Sequence, residues 1–167
     1  MNKPMKTISL DAIDRKILKY LVKNARMPFL EIARECGISG AAIHQRIHKL
    51  TEAGVILGSY MVVDPKMLGF DVCAHINISL KDPQQLQQVI AELQEIPEIV
   101  EAHFITGKGS IQVKLYCLDN EHLMRTVYDK VLCLPGISAT ETILSLREVF
   151  RRPLAVEFID DVPSKKR

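Results

Sequence analysis

No apolar run in this 167-residue chain approaches the roughly 20 residues a membrane-spanning helix requires, so no membrane partner is expected. The opening MNKPMKT is followed by no apolar segment, which argues against a signal peptide. Cysteine is sparse and scattered: Cys36, Cys73, Cys117 and Cys133 form no CxxC pair. Isolated thiols of that kind are more often small buried groups than bridges or metal ligands, and a reducing cytoplasm is the expected location. Chemistry-bearing patterns are missing too. There is no nucleophile elbow, no phosphate-cradling loop and no His/Cys/Asp cluster at ligand spacing, so neither catalysis nor a metal or cofactor is expected. His44 and His48 stand at i and i+4 but lack the nearby acid or thiol that would complete a metal site.

What is present is globular. At 47% hydrophobic and 25% charged, the chain can bury the core of one ordinary domain or two small ones. Its net charge of +2 hides an asymmetry: residues 1–60 carry +5 and residues 61–167 carry −3. A basic first third on a mildly acidic body suits a polyanion at one end, although a solvated basic face gives the same count.

Three helices are expected in that first third. In LDAIDRKILKYLVKN, Asp11 suits an N-cap, and Ile13, Ile17 and Leu21, with Leu18, form a stripe of helical period. Residues 28–36 make a short second helix with Pro28 in its first turn, and Gly37 supplies the sharp turn after it. Ser39 caps a third helix that runs to about Ala53 and stops at Gly54. Two short helices joined by a glycine turn, with another ahead of them, is a helix-turn-helix layout.

Past Gly54 the period changes. Residues 55–63 read as an extended connector ended by Asp64-Pro65. Alternation from Val72 to Leu80 predicts a strand, then a helix over residues 83–95, strands at 98–106 and 110–118, a helix at 120–133 and a last strand at 138–150. That order, β-α-β-β-α-β, is the split ferredoxin-like unit. An internal echo supports it: Ile96-Pro97-Glu98-Ile99 and Leu134-Pro135-Gly136-Ile137 recur 38 residues apart, each between a helix and a strand. The tail PSKKR, at 163–167, is expected to be disordered.

The third helix carries the functional question. At 100° per residue, Ile43, Ile47 and Leu50 share the buried side, while Ala41, Gln45 and His48 fall opposite, flanked by His44 and Lys49. Gly40, Ala41 and Ala42 at its entrance are too small to obstruct close approach. A helix lying in the major groove uses such a face, with polar side chains on base edges and cations on phosphates. Gln45 suits an adenine edge, and His44, His48 and Lys49 suit bases or phosphate. Arg46 lies nearer the core side and reaches either to phosphate or to an acid such as Asp14. The plainer alternative is a solvated amphipathic helix in a small bundle.

Read in order, LDAIDRKILKYLVKNAR, LEIARECGIS, RIHKLTEAGVILGSY and DPKMLG resemble the leucine-responsive/AsnC (Lrp/AsnC) family of transcription regulators. TGKGSIQVKL and LPGISATETILSLREV are similar to that family's amino-acid-binding domain. The resemblance implies an α+β fold. Residues 8–56 would form a helix-turn-helix (winged-helix-like) domain, 57–65 a hinge strand or linker, 66–153 a ferredoxin-like effector-binding and oligomerisation domain, and 154–167 a tail. It implies dimers that pair sheet to sheet, with tetramers or octamers beyond them, on pseudo-palindromic double-stranded DNA. By position, Ser39, Gly40, Ala41, Ala42, His44, Gln45, Arg46, His48 and Lys49 would be the DNA-reading helix, with Arg46 on the DNA backbone and Phe29 near phosphate.

The same resemblance implies a small effector, an amino acid or related metabolite. Its expected site is Gly107, Lys108, Gly109 and Ser110 with Thr140 and Thr142. The family's loop reads Gly-x-Tyr-Asp, its aspartate facing the ligand's ammonium, and here glycine and serine replace the tyrosine and aspartate. Either the ligand is not an ordinary α-amino acid, or another acid supplies the charge, or no effector exists. The glycines fit a tight hairpin turn equally well. A different reading is an amino-acid sensor that acts on protein partners without DNA.

Overall fold

The computed structural model describes residues 9–107 and 109–156. Lys108, the opening MNKPMKT and the tail PSKKR lie outside the described residues, and so do the expectations placed on them. The chain divides into two compact units, one of residues up to Met61 together with those from Arg151 onward, the other Val62–Phe150.

The first unit holds α1 (Ala12–Lys23), α2 (Phe29–Cys36) and α3 (Gly40–Glu52). Ile17, Ile32, Ala33 and Ile43 make its buried centre, with Ile13, Tyr20, Leu21, Phe29 and Ile47 packed around them. The helix ends follow from residue choice. Gly37 takes φ 66° and Gly54 φ 73°, where any side chain would be strained. Each releases the next amide to reach back five residues, Ile38 N–H to the Ala33 carbonyl at 3.0 Å and Val55 N–H to the Leu50 carbonyl at 2.9 Å. These bonds satisfy carbonyls that the last turn leaves open.

Residues 56–64 form no strand and pair with none among the described residues, which corrects the expected hinge strand. A β-ladder needs a partner, and the apolar side chains here stay exposed, Leu57 to 93% and Tyr60 to 85%.

The second unit is one antiparallel sheet of β1 (Val72–Leu80), β2 (Ile99–Phe104), β3 (Ile111–Cys117) and β4 (Ile137–Ser145), in the order β2-β3-β1-β4. Helices α4 (Leu86–Gln94) and α5 (Asn120–Arg125) supply the crossovers, completing the ferredoxin-like arrangement. Ala74, Ile76 and Ile78 of β1 and Ile111, Val113 and Leu115 of β3 meet Val89 and Leu93 of α4 and Leu123 and Val127 of the second crossover. The expected last strand was too long. Cys73 pairs with Ser145 and β1 starts one residue earlier, so residues 146–150 have no ladder to join. Helix α5 was also simplified. After Arg125 it continues as a π-helix, Thr126–Val131, where Leu132 N–H reaches the Val127 carbonyl at 2.8 Å. The Thr126 hydroxyl occupies the His122 carbonyl at 2.9 Å, the sort of side-chain competition that loosens a helical ladder.

The two Pro-containing echoes fold alike: Ile99 N–H meets the Ile96 carbonyl at 3.0 Å, and Ile137 N–H the Leu134 carbonyl at 3.1 Å. Their third positions differ for packing reasons. A Cβ at Gly136 would lie 2.5 Å from Val89 Cγ2, so no side chain fits. Glu98 instead extends toward the second crossover, its Oε1 accepting from Lys130 Nζ at 2.5 Å and from His122 Nε2 at 3.0 Å. His122 Nδ1 accepts from Leu118 N–H at 3.3 Å, which leaves the proton on Nε2 for Glu98.

Burial alone would push the Glu98 carboxyl up, but the hydrogen bonds from Lys130 and His122 outweigh it and hold it down at about 2, against an ordinary 4.5. A depressed folded pKa contributes stability that is complete above pH 4.5 and is lost as the pH falls toward 2. Urea unfolding between pH 6 and pH 2 should therefore show a falling midpoint that Glu98→Gln flattens. Parallel curves for both proteins would contradict the assignment.

Candidate DNA-reading and effector sites

Helix α3 is set by its cap. Ser39 Oγ accepts from Ala42 N–H at 3.2 Å, fixing where the first turn starts. Ile43 and Leu50 are fully buried, while Ala41, His44, Gln45, His48 and Lys49 are exposed, as the helical wheel requires. The residues expected to read DNA thus form one solvent-facing side. Among the described residues, Gln45 and Lys49 make no side-chain hydrogen bond. His48 Nδ1 lies 3.4 Å from Glu52 Oε2, with both groups about three-quarters exposed, a contact of little energetic weight. His44 sets its ring edge to face against Phe29, centroids 5.3 Å apart at 72°, so these two side chains form one feature at the α2–α3 corner. A Cβ at Gly40 would sit 2.8 Å from Cδ2 of the exposed Leu30 side chain, which would have to turn aside to admit it.

Arg46 departs from the rest of its helix. Its Nη1 donates to Asp11 Oδ2 at 2.6 Å and to Asp14 Oδ1 at 2.7 Å. In the chain without DNA, Arg46 thus meets the expected acid Asp14, and Asp11 besides. Both aspartates also cap α1 reciprocally: Asp14 N–H donates to Asp11 Oδ1 at 2.8 Å and Asp11 N–H to Asp14 Oδ2 at 3.3 Å. Sequence reading took Asp11 as a cap but missed the reciprocal half. The Asp-x-x-Asp spacing ahead of an apolar stripe was the available signal.

The expected effector residues are divided. Gly107 and Gly109 take φ 107° and 89° in the hairpin between β2 and β3, and a Cβ at Gly109 would lie 3.1 Å from the Ile78 carbonyl. Ser110 N–H donates to that carbonyl at 2.7 Å. Thr140 and Thr142 sit across β1, opposite Ile78 and Ile76, on the helix-covered side of β4. They line a groove of about 510 Å³ with Asn120, Met124, Val127 and Tyr128 of the second crossover. Among the described residues, Gly107, Gly109 and Ser110 do not line it, and no charged side chain does.

The opposite sheet face is uncovered by helices and polar. Gln112 Nε2 donates to Asn77 Oδ1 at 2.9 Å and Asn77 Nδ2 to Glu141 Oε2 at 3.2 Å, a chain across three strands. On β2, the hydrogen bond from His103 at 2.6 Å holds the Glu101 carboxyl below its ordinary value.

Residues 10–51 match the AsnC-type helix-turn-helix domain and residues 71–155 the Lrp/AsnC ligand binding domain. The chain belongs to the Lrp/AsnC family of transcriptional regulators. It is 35% identical to the regulatory protein AsnC of Escherichia coli over 150 residues, covering 90% of this chain and 99% of that protein. It is 37% identical to the transcriptional regulator Ptr1 of Methanocaldococcus jannaschii over 138 residues, 83% and 93% of the two chains. The solved E. coli AsnC superposes with a TM-score of 0.79 at 35% identity, over 88% of this chain and 99% of that one. A Neisseria meningitidis regulator solved with L-Met shares the fold, with a TM-score of 0.77 at 22% identity over 86% and 94%. Within this Lrp/AsnC chain, no described helix is long and apolar enough to cross a membrane.

Proposed function

We propose that α3 lies in the major groove and reads sequence through its exposed side. The observation that carries this is the separation within α3: Gln45, His48 and Lys49 are outside, while Ile43 and Leu50 are fully buried. In this reading Gln45 and His44 meet base edges, Lys49 and His48 meet bases or phosphate, and Phe29 packs near the backbone. Ser39, Gly40, Ala41 and Ala42 let the helix start approach DNA closely, and one backbone amide is already committed to the Ser39 cap. The DNA-binding domain spans residues 8–56, the connector 57–65 and the effector domain 66–153.

Two copies joined through the open sheet face would present paired helices to a pseudo-palindromic operator, and tetramers or octamers would extend the array. The regulator acts in the cytoplasm, by binding rather than catalysis. A small effector, an amino acid or related metabolite, would work by favouring one assembly or DNA-binding state over another. The ligand binding domain match supports this, and the uncharged groove at Thr140 and Thr142 suits a ligand held by hydroxyls and apolar contact rather than by an ion pair.

Gln45→Ala should flatten sequence preference among DNA duplexes. Lys49→Ala should weaken binding evenly and reduce the log–log salt slope by about 0.9, one phosphate's share. Equal losses on every duplex for both variants would refute these roles, and no retention on DNA at low salt would favour a sensor working through protein partners.

Thermal unfolding against the twenty amino acids, related acids and nucleobases tests the effector. A ligand at a hundred times its dissociation constant adds about 2.7 kcal/mol, seen as a raised Tm that Thr142→Ala should abolish. No shift at millimolar concentrations would count against an effector.

A further inference from the structure

We propose that Arg46 is a positioning residue: it locks the DNA-reading helix to the start of α1 and does not contact phosphate. This rests on the reading that α3 faces DNA. All four carboxylate oxygens of Asp11 and Asp14 are committed. Each aspartate spends one oxygen on the other's backbone N–H and gives its second oxygen to the same nitrogen, Arg46 Nη1. The Asp14 side chain is 2% exposed and that of Arg46 27%, so one end of this pair is out of water. Turning the guanidinium toward a phosphate would strip a buried carboxylate of its counter-charge, a heavier loss than an exposed phosphate contact returns. The Asp14 amide first and Arg46 second hold the Asp11 carboxyl below its ordinary value.

The consequence is angular. Arg46 projects from α3 next to Gln45, on the flank between the buried and exposed sides, and its far end is pinned at the first turn of α1. The pin limits roll of α3 about its own axis. A residue turns by about 100° around a helix, so a modest roll moves Gln45 off its base edge without unfolding anything.

The test uses the full-length protein, a duplex it selects from a random pool, and mixed-sequence duplex of equal length. Asp11→Asn, Asp14→Asn and Arg46→Gln, and the double variant Asp14→Asn/Arg46→Gln, are titrated on both DNAs across salt, with Gln45→Ala as control. The expected result is a roughly tenfold or greater fall in the selected-to-mixed affinity ratio for Arg46→Gln and Asp14→Asn, the scale of one base contact. The double variant should be no worse than either single one, and the salt slopes should match the original protein. A slope reduced by about 0.9 in Arg46→Gln, with both aspartate variants binding as tightly as before or tighter, would overturn the proposal. Equal losses on both DNAs would also overturn it, leaving only a structural role. If Asp14→Asn does not fold, Asp11→Asn carries the comparison, because its side chain is 53% exposed. A Gln45→Ala protein with unchanged preference would instead remove the underlying reading of α3.

Discussion

One nitrogen, Arg46 Nη1, holds two carboxylates that would otherwise repel each other at the start of α1. The arrangement lets a short helical unit with few fully buried side chains fix the direction of its third helix. Apolar packing among Ile17, Ile32 and Ile43 holds the helices together, but it is non-directional and tolerates small rolls. A charge-assisted hydrogen bond from one planar group to two defined oxygens does not tolerate them. The outer side of α3 is then presented at a set angle, and its polar side chains can be few because each is placed.

The second unit solves a different problem with the same economy. A sheet with helices on one side leaves its other side open, and here that side is tied laterally by Gln112, Asn77 and Glu141 rather than by apolar packing. A polar, hydrogen-bonded face of this kind is solvated when alone and suits a wet interface when paired. The covered side is asymmetric despite the repeated Pro turn. Gly136 lets the β4 entrance close on Val89, whereas Glu98 reaches the second crossover and anchors it through Lys130 and His122. Between His122 and Lys130 the helix widens into π turns, and the groove beside Thr140 and Thr142 runs along this crossover.

Much of this was legible in the sequence. Asp11, Ser39, Gly37 and Gly54 announced where helices begin and end, because capping chemistry is local. The alternation from Val72 to Leu80 announced a strand with one buried face, and the helical wheel of α3 separated inside from outside correctly. What escaped depends on partners distant in the chain. The connector at 56–64 has strand-like composition but no ladder, and β4 stops at Ser145 because β1 has nothing further to offer it. Thr126 gave no sign that its hydroxyl would sit on the turn where α helix passes into π. The loop glycines were visible, but the approach of Gly109 to the Ile78 carbonyl was not. Arg46 was placed on the right flank of its helix. Its contact with Asp11, 35 residues back, depends on how the helices pack and was not legible.

The most direct measurement is side-chain nitrogen NMR of the Arg46 guanidinium, free and then saturated with a selected DNA duplex. The account predicts Nη protons protected from exchange and unchanged in shift on binding, while Gln45 and Lys49 side-chain signals move. Loss of that protection, with a coupling from Arg46 to a DNA phosphorus, would show the guanidinium leaving Asp11 and Asp14 for the backbone and would contradict it.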